Sequence, residues 1–312
     1  MDITGLDDLL ALAEARNFSR AAEARHISQP AFSRRIRMLE DWVGAALIER
    51  DTRNVTLTPA GEAFLPLAAD AVRRLGSART QAREAAGAEA ATLRVCSTHA
   101  LSMTFFPTWL ESLDDASGTQ HMVSLVTDNM AGGERLLLDG GAQFLLCHDH
   151  PLVEVPMKPS FFQHVDVGSD ILRPVSAPAE AGIPRHSLRP ESADAVPFLS
   201  YSDTSGLGRI LAAVLGQSAE SGRLQPTFAS HVAAVLTRMA KAGKGVAWLP
   251  VSLIEAELRA GELVAAGPPG HDIPIGIRVY RPRARQSAAA ETFWNRVRAA
   301  QGARQSIHAG VA

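Results

Sequence analysis

The chain has 312 residues and a mass of 33.2 kDa, more than one small module and enough for two or three domains of ordinary size. Hydrophobic residues make up 46% and charged residues 21%, a globular balance that excludes a disordered or fibrous chain, and no apolar run approaches the ~18–20 residues that cross a bilayer. Net charge is −2, which by itself argues against a nucleic-acid partner until the charges are placed along the chain.

The start, MDITGLDDLL, lacks the basic segment of a secretory signal, so the expected compartment is the cytoplasm, with no membrane partner. The first 90 residues hold twelve Arg, no Lys and thirteen Asp or Glu, yet between Arg16 and Arg37 six Arg stand against the single Glu23, a local balance of +5. Leu6, Leu9, Leu10 and Ala13 fall at helical spacing and predict a first amphipathic helix. Ser19 is a suitable N-cap for a short second helix, Arg20 to Arg25, whose Ala21, Ala22 and Ala24 let another helix approach closely. After a turn at His26-Ile27, Ser28 caps a third helix with Pro30 in its first turn, where a missing N–H costs nothing. Phe32, Ile36, Leu39 and Val43 form its buried stripe. The opposite face presents Gln29, Ser33 and Arg37, with Arg34 beside them, residue types that hydrogen-bond base edges and phosphates from the second helix of a helix-turn-helix. Trp42 and Gly44 close this helix. Two short β segments, Leu47 to Arg50 and Val55 to Thr58, then read as a winged hairpin with Arg50 and Arg53 near its tip, placed for the sugar-phosphate backbone or the minor groove.

The stretch Asn17 to Phe64, and above all the run S-Q-P-A-F-S-R-R-I-R-M-L-E from Ser28 to Glu40, resembles the DNA-binding domain of the LysR-type transcriptional regulators. The resemblance implies an α/β chain with an N-terminal winged helix-turn-helix, a long dimerising linker helix and a C-terminal effector-binding domain of two α/β subdomains like a periplasmic binding protein. The DNA-contacting candidates are Ser19, Arg20, Ser28, Gln29, Pro30, Ser33, Arg34, Arg37, Arg50 and Arg53. The partners are double-stranded DNA with a pseudo-palindromic operator, a small-molecule effector or oxidant, and further copies of the chain, a dimer with a family leaning to a tetramer. The expected domains are 1–58 for DNA binding, 59–91 for the linker helix and hinge, and 92–306 for the effector domain, divided into 92–163 with 268–306 and 164–267.

Thr58 caps and Pro59 opens the linker helix, expected to run to about Arg83 with Phe64, Leu67, Ala68, Ala71, Val72 and Leu75 as an apolar stripe. With no other local element to cover it, the stripe predicts a partner helix from a second copy. Pro66 should kink this helix or delay its regular part, and the Ala/Gly-rich stretch 84–92 reads as a hinge.

From Thr92 onward strand-like and helical segments alternate. Leu93 to Ser97, a helix near His99, His121 to Thr127, a helix near Gly133 and Ala142 to Cys147 form a βαβαβ pattern and hence a parallel sheet. A second series follows from about Val165: strands at Val196 to Tyr201, Thr227 to Ala229 and Gly245 to Leu249, with helices at Ser205 to Leu215, His231 to Ala242 and Val251 to Ala260. Ile273 to Tyr280 returns the chain to the first half. Ligands in open α/β sheets bind beyond the strand C-termini, where helix N–H groups favour anions. The effector candidates are therefore Ser97, Thr98, His99 and Ser102, His148 with Asp149, Tyr201, Ser202, Thr204 and Ser205, and Ser230, Val246 and Trp248. Each hydroxyl taken singly is as well explained as a cap or turn residue.

Phrases such as SxHxLSxxxxP, Ser97 to Pro107 after the first effector strand, and GVAWLP at Gly245 to Pro250 resemble the hypochlorite-responsive branch of the family, which implies a response to oxidants through methionine oxidation. Met103 and Met130 lie near the expected cleft. His231-Val232 stands where that branch would have a methionine, so its sensor residues do not carry over. The same branch implies a role in oxidative stress. Cys96 and Cys147 fall on neighbouring strands and offer a second redox route, although buried inert thiols are the plainer reading. His148-Asp149-His150 lacks a third ligand, so neither a metal nor another cofactor is expected. A hydrolase built on Ser97 or Ser202 with His99 or His148 lacks a G-x-S-x-G elbow and a placed acid, and no enzymatic activity is expected.

Overall fold

The computed structural model describes residues 3–50, 55–85, 92–113, 122–188, 195–216 and 222–309. The chain divides into two compact units, one formed by residues 1–88 with 138–141 and the other by 89–137 with 142–312.

In the first unit three helices, α1 (Ile3–Ala15), α2 (Phe18–Ala24) and α3 (Gln29–Val43), are followed by the antiparallel pair β1 (Ile48–Arg50) and β2 (Val55–Leu57) and by the long helix α4 (Pro59–Ala85). Leu6, Leu9 and Leu12 of α1, Ala21 and Ala22 of α2, and Phe32, Ile36 and Leu39 of α3 meet in one core, closed by Leu47, Ile48 and Ala68. The second helix is capped by Asn17, whose Oδ1 accepts from the N–H groups of Ser19 and Arg20. Ser19 therefore sits inside the first turn instead of capping it, because the Asn17 side chain, two residues earlier, reaches both free donors. Gly44 ends α3 in the left-handed conformation, φ 78°, which a side chain would strain.

Two joints fix the hairpin. The Glu40 carboxylate at the end of α3 accepts from the N–H groups of Leu47 and Ile48 at 2.9 and 3.1 Å. Thr58 Oγ1 donates to the Ala46 carbonyl at 2.7 Å and accepts from Gly61 N–H at 3.0 Å, so one hydroxyl ties the hairpin base to the first turn of α4. Helix α4 continues unbroken through Pro66, and the expected delay of its regular part is not seen. The stripe on α4 is also not left for a partner alone. Phe64, Ala68, Ala71 and Val72 pack into the unit's own core, while Leu67 and Leu75 stay exposed. The hairpin tip 51–54, including Arg53, and most of the expected hinge lie outside the described residues.

The second unit begins with β3 (Thr92–Thr98), α5 (His99–Thr104), α6 (Phe106–Ser112), β4 (Met122–Asp128), α7 (Met130–Leu138) and β5 (Phe144–Asp149). Strand β3 lies parallel between β4 and β5, as the βαβαβ pattern predicts. The long strand β6 (Phe162–Ser176) then leaves for the other half, which holds β7 (Val196–Tyr201), α8 (Gly206–Leu215), β8 (Leu224–Ser230), α9 (Ala233–Lys241), β9 (Ala247–Pro250), α10 (Val251–Arg259) and β10 (Val264–Ala265). Strand β11 (Ile273–Pro282) returns antiparallel between β5 and β6, and α11 (Ala288–Ala309) closes the chain. Strand β6 crosses both halves: Phe162 to Leu172 pair with β11, Leu172 to Val175 with β9, and Val175 and Ser176 with β10. It therefore straddles the boundary expected at 163/164. One core gathers Trp109, Phe144, Phe293 and Trp294 in the first half, and another gathers Trp248, Phe198, Ile210 and Leu236 in the second. No helix among the described residues is long and apolar enough to cross a membrane.

Candidate functional site

The candidate residues gather on two surfaces, one in each unit. On α3 the exposed face holds Gln29, Pro30, Arg34 and Arg37, with Ser33 half-buried and its Oγ accepting from Gln29 Nε2 at 3.0 Å. Ser28 caps the helix by position but without a side-chain hydrogen bond, leaving its hydroxyl uncommitted. Arg20 and Ser19 are exposed on α2. Arg50 lies on β1, and Arg53 is outside the described residues.

The +5 cluster does not face outward as a whole. Asp8, fully buried in α1, accepts from Arg25 Nε at 2.9 Å and from Arg35 Nε and Nη2 at 2.6 and 2.9 Å, and Arg25 also reaches Asp7. Two of the six arginines are thus folded inward as structural cations. Arg16, Arg20, Arg34 and Arg37 are exposed, and among the described residues no carboxylate pairs with them. The sequence reading missed Asp8 because the pairing spans 27 residues and sits within an acidic run that looks like solvated surface.

The second surface is a cleft between the two halves of the second unit. From the first half it is lined by Thr98, His99 and Ala100 where β3 meets α5, by Asp128, Asn129 and Met130 where β4 meets α7, and by His148 on β5. From the other half come Ser205, Gly206 and Leu207 at the start of α8, with His231 and Ala233 at the start of α9. The His99 and His231 rings meet edge to face across it, 5.4 Å between centroids. Ser205 Oγ accepts from Gly208 N–H at 3.3 Å, and Asn129 Oδ1 accepts from Gly132 N–H at 3.0 Å, so the α8 and α7 entries are capped from the cleft. Behind the wall, Arg209 of α8 holds Glu134 of α7 through two bonds of 2.6 and 3.0 Å, and Ala131 N–H donates to the Thr204 carbonyl.

Among the described residues, three buried polar atoms on this wall have no hydrogen-bond partner: Thr98 Oγ1, His99 Nδ1 and His148 Nε2. Burial holds the His148 imidazole down to about 4, against an opposing pull from the Asp170 carboxylate, so it is neutral at physiological pH.

Of the effector candidates, Thr98, His99, His148 and Ser205 are brought together. Ser97 is buried behind them with its Oγ on the Thr98 carbonyl, and Ser102 donates back to the His99 carbonyl. Ser202 and Thr204 bond each other at 3.2 Å, and Ser230 Oγ accepts from Val232 N–H. Tyr201, Val246 and Trp248 turn into the core: the Tyr201 hydroxyl donates to the Trp248 carbonyl, Trp248 Nε1–H donates to the His271 carbonyl, and Val246 pairs in the backbone with Leu199. Asp149 is held by Arg278 at 2.8 Å. The residues that sequence reasoning passed over, Ala100, Asp128, Asn129, Gly206, Leu207, His231 and Ala233, obey the same rule of strand ends and helix starts that located the others.

Met130 is buried against Gly206, where a built Cβ would meet its Cβ, Cγ and Sδ at 3.3–3.5 Å, whereas Met103 is 67% exposed. Cys96 and Cys147 are free and fully buried. Burial, with the Asp128 carboxylate adding to it, pushes the Cys96 thiol up to about 12, and burial pushes Cys147 up as well. Both thiols stay protonated and unreactive. Among the described residues no group of three His, Cys, Asp or Glu is placed to hold a metal ion.

Comparison with known proteins agrees with the order of the two parts, a helix-turn-helix followed by an effector domain. Residues 3–62 match the family described as bacterial regulatory helix-turn-helix protein, lysR family, and residues 86–302 match the LysR substrate binding domain. The chain is 31% identical over 294 residues to the HTH-type transcriptional regulator YjiE of Escherichia coli K12, covering 94% of this chain and 93% of that protein. Among solved structures it resembles full-length HypT of Salmonella typhimurium, a hypochlorite-specific LysR-type transcriptional regulator, with TM-score 0.58, 31% identity and 97% and 99% of the two chains covered. It also resembles Vibrio fischeri DarR, solved in complex with DNA, with TM-score 0.55, 31% identity and 95% and 98% covered. Such proteins are regulators and not enzymes. With a helix-turn-helix whose Arg16, Arg20, Arg34 and Arg37 are exposed and a second domain that encloses a polar cleft, the chain belongs to the LysR family of DNA-binding transcriptional regulators.

Proposed function

We propose that this regulator reads a pseudo-palindromic operator in the cytoplasm through Gln29, Ser33, Arg34 and Arg37 of α3, with Ser19, Arg20, Ser28, Pro30 and the hairpin arginines on the flanking backbone. Its effector domain carries the signal, a small molecule or an oxidant, in the cleft. The observation that supports this most directly is the concentration of unpartnered buried polar atoms there, since such groups cost free energy until a ligand or water completes them. Self-association through the exposed Leu67 and Leu75 of α4 would set two recognition helices for the two operator halves, and the family leaning is to a tetramer.

Fluorescence anisotropy with the chain's own upstream DNA tests the reading. Arg34→Ala is expected to weaken binding by about 1–3 kcal/mol, roughly five- to 150-fold, with the oligomer mass unchanged. Equal affinity for both proteins would refute the assigned face.

A second reading, oxidant sensing, is favoured by the position of Met130 and by the likeness to HypT and YjiE. A sulfoxide on Met130 would place a polar oxygen where the thioether now packs on Gly206, between the two halves of the effector domain. Hypochlorite treatment followed by promoter occupancy and transcription should then alter wild type and spare Met130→Leu.

A further inference from the structure

We infer that the second unit carries a DNA-contacting surface of its own, a basic patch of Lys158, Arg283 and Arg285 that takes the phosphate backbone of duplex flanking the operator. The inference goes beyond operator reading by α3 and does not involve the cleft.

The patch is built from two stretches of the chain. Residues 155–165 contain Lys158 and no acid, and residues 279–290 contain Arg281, Arg283 and Arg285 and no acid. Folding fastens them together. Arg283, just past β11, donates its N–H to the Phe161 carbonyl at 2.8 Å and its Nε–H to the Pro159 carbonyl at 2.6 Å. The Lys158 carbonyl accepts from the N–H groups of Phe161 and Phe162, both at 3.0 Å, so the turn bearing Lys158 is closed against the end of β11.

The arginines then divide by role. Arg281 is buried and donates to both Glu291 carboxylate oxygens at 3.0 and 2.7 Å, while Gln286 N–H adds a third bond to that carboxylate. These bonds from Arg281 chiefly hold the Glu291 carboxyl below its ordinary range, and Arg285 adds only a smaller pull. Glu291 is thus matched by Arg281. Lys158, Arg283 and Arg285 are exposed, and among the described residues no carboxylate forms an ion pair with any of them. Arg283 commits only its Nε to the fold. A rim serving solubility alone would mix both signs of charge, whereas a single-sign cluster held in place by backbone bonds suits a polyanion.

The place of the patch selects which polyanion. Gln286 Nε2 donates to the Gln143 carbonyl, Gln143 N–H donates to the Arg94 carbonyl at 2.8 Å, and Arg94 N–H donates to Gln143 Oε1 at 2.9 Å. The patch therefore adjoins the start of β3, where the chain arrives from the DNA-binding unit. The cleft residues Thr98 and His148 lie toward the opposite ends of β3 and β5. Helix α4 spans about 40 Å and residues 86–91 add at most about 20 Å of chain, so DNA held by the first unit keeps roughly 18 base pairs of flanking duplex within reach. Tethering makes the second contact intramolecular, and phosphate contacts too weak to capture free DNA then count.

Fluorescence anisotropy of the full-length protein tests this on two duplexes, the minimal operator and the same operator extended by about 20 base pairs on each side, across roughly 50 to 200 mM salt. Each phosphate contact adds about 0.9 to the log–log salt slope, so the three cations should steepen the wild-type slope on the long duplex by up to about 2.7, a roughly 40-fold loss over that range. Lys158→Gln with Arg285→Gln alters two side chains that make no hydrogen bond or ion pair among the described residues. It should flatten the slope on the long duplex by about 0.9–1.8 and leave the minimal operator bound as by wild type, which also shows that the variant is folded. Adding Arg283→Gln should remove the remainder. A flattening smaller than one contact, about 0.9, would overturn the inference and leave an acidic protein as the occupant to seek. Equal losses on both duplexes would overturn it as well, because the cations would then not act on flanking DNA. Arg34→Ala separates the two surfaces: it should weaken both duplexes alike, and if it weakens neither while the double variant behaves as expected, the α3 face fails and the patch stands.

Discussion

Asp8→Asn is the most informative single change in the DNA-binding unit. Asp8 has no exposed surface and receives three charge-assisted hydrogen bonds from Arg25 and Arg35. Removing one partner of a buried ion pair costs about 3–5 kcal/mol when the other charge has no escape. Here both guanidinium side chains are 31% exposed and can turn toward water, which lowers the expected loss to about 2–3 kcal/mol. At an m-value of about 1–2 kcal/mol per molar urea this moves the local unfolding midpoint by roughly 1–3 M. Hydrogen exchange of α1 and α3 amides in full-length protein, followed against urea, reads that shift. The same change frees two cations beside the recognition helix. Each additional phosphate contact they make should steepen the salt dependence of nonspecific DNA binding by about 0.9 in log–log slope. A stability loss below about 0.5 kcal/mol with an unchanged slope would show that Asp8 is not the anchor of this helix pair.

Gly61→Ala should cost at least about 3 kcal/mol in the same assay, because a Cβ there would lie 2.1 Å from the Leu47 carbonyl oxygen, and backbone cannot step aside; a neutral result would mean that the hairpin base and α4 are not in contact. For His148 the folded imidazole sits near 4 and the unfolded one near 6.5, so its contribution to stability is complete above about pH 6.5 and is lost as pH falls toward 4, by up to roughly 3 kcal/mol. Acid titration of the melting temperature should therefore flatten in His148→Gln, and identical slopes would contradict the burial of a neutral ring. Native protein should leave both thiols unmodified by a disulfide reagent at pH 8 and expose two in denaturant; rapid labelling of the folded chain would restore cysteine to the candidate sensors.

How far the sequence could be read depended on the range of the interactions. Helices α1 and α3, the parallel βαβ start and the return of β11 follow from local periodicity, so Phe32, Ile36 and Leu39 could be named as core without coordinates. Arg25 and Arg35 could not be separated from Arg34 and Arg37, because only the folded chain brings Asp8 to them. The apolar stripe of α4 was legible, but its division between the unit's own core and the exposed Leu67 and Leu75 depends on where α1 lies. In the cleft, strand ends supplied His99 and His148. The same rule carried Tyr201, Val246 and Trp248 too far, since alternate residues at a strand end point to opposite faces and these three point inward.

The joints at Glu40 and Thr58 bear on how a signal can move the DNA-reading surface. Glu40 fastens the end of α3 to β1, and the Thr58 hydroxyl fastens the hairpin base to the head of α4. Reader, hairpin and helix head are then coupled without a flexible joint between them. At 27 residues α4 is a rod of about 40 Å, so a rotation of a few degrees along it sweeps the reader through an arc comparable to the spacing of neighbouring base pairs. Control over the operator can thus be exercised as leverage, by turning the rod, while every contact within the reader stays as it is.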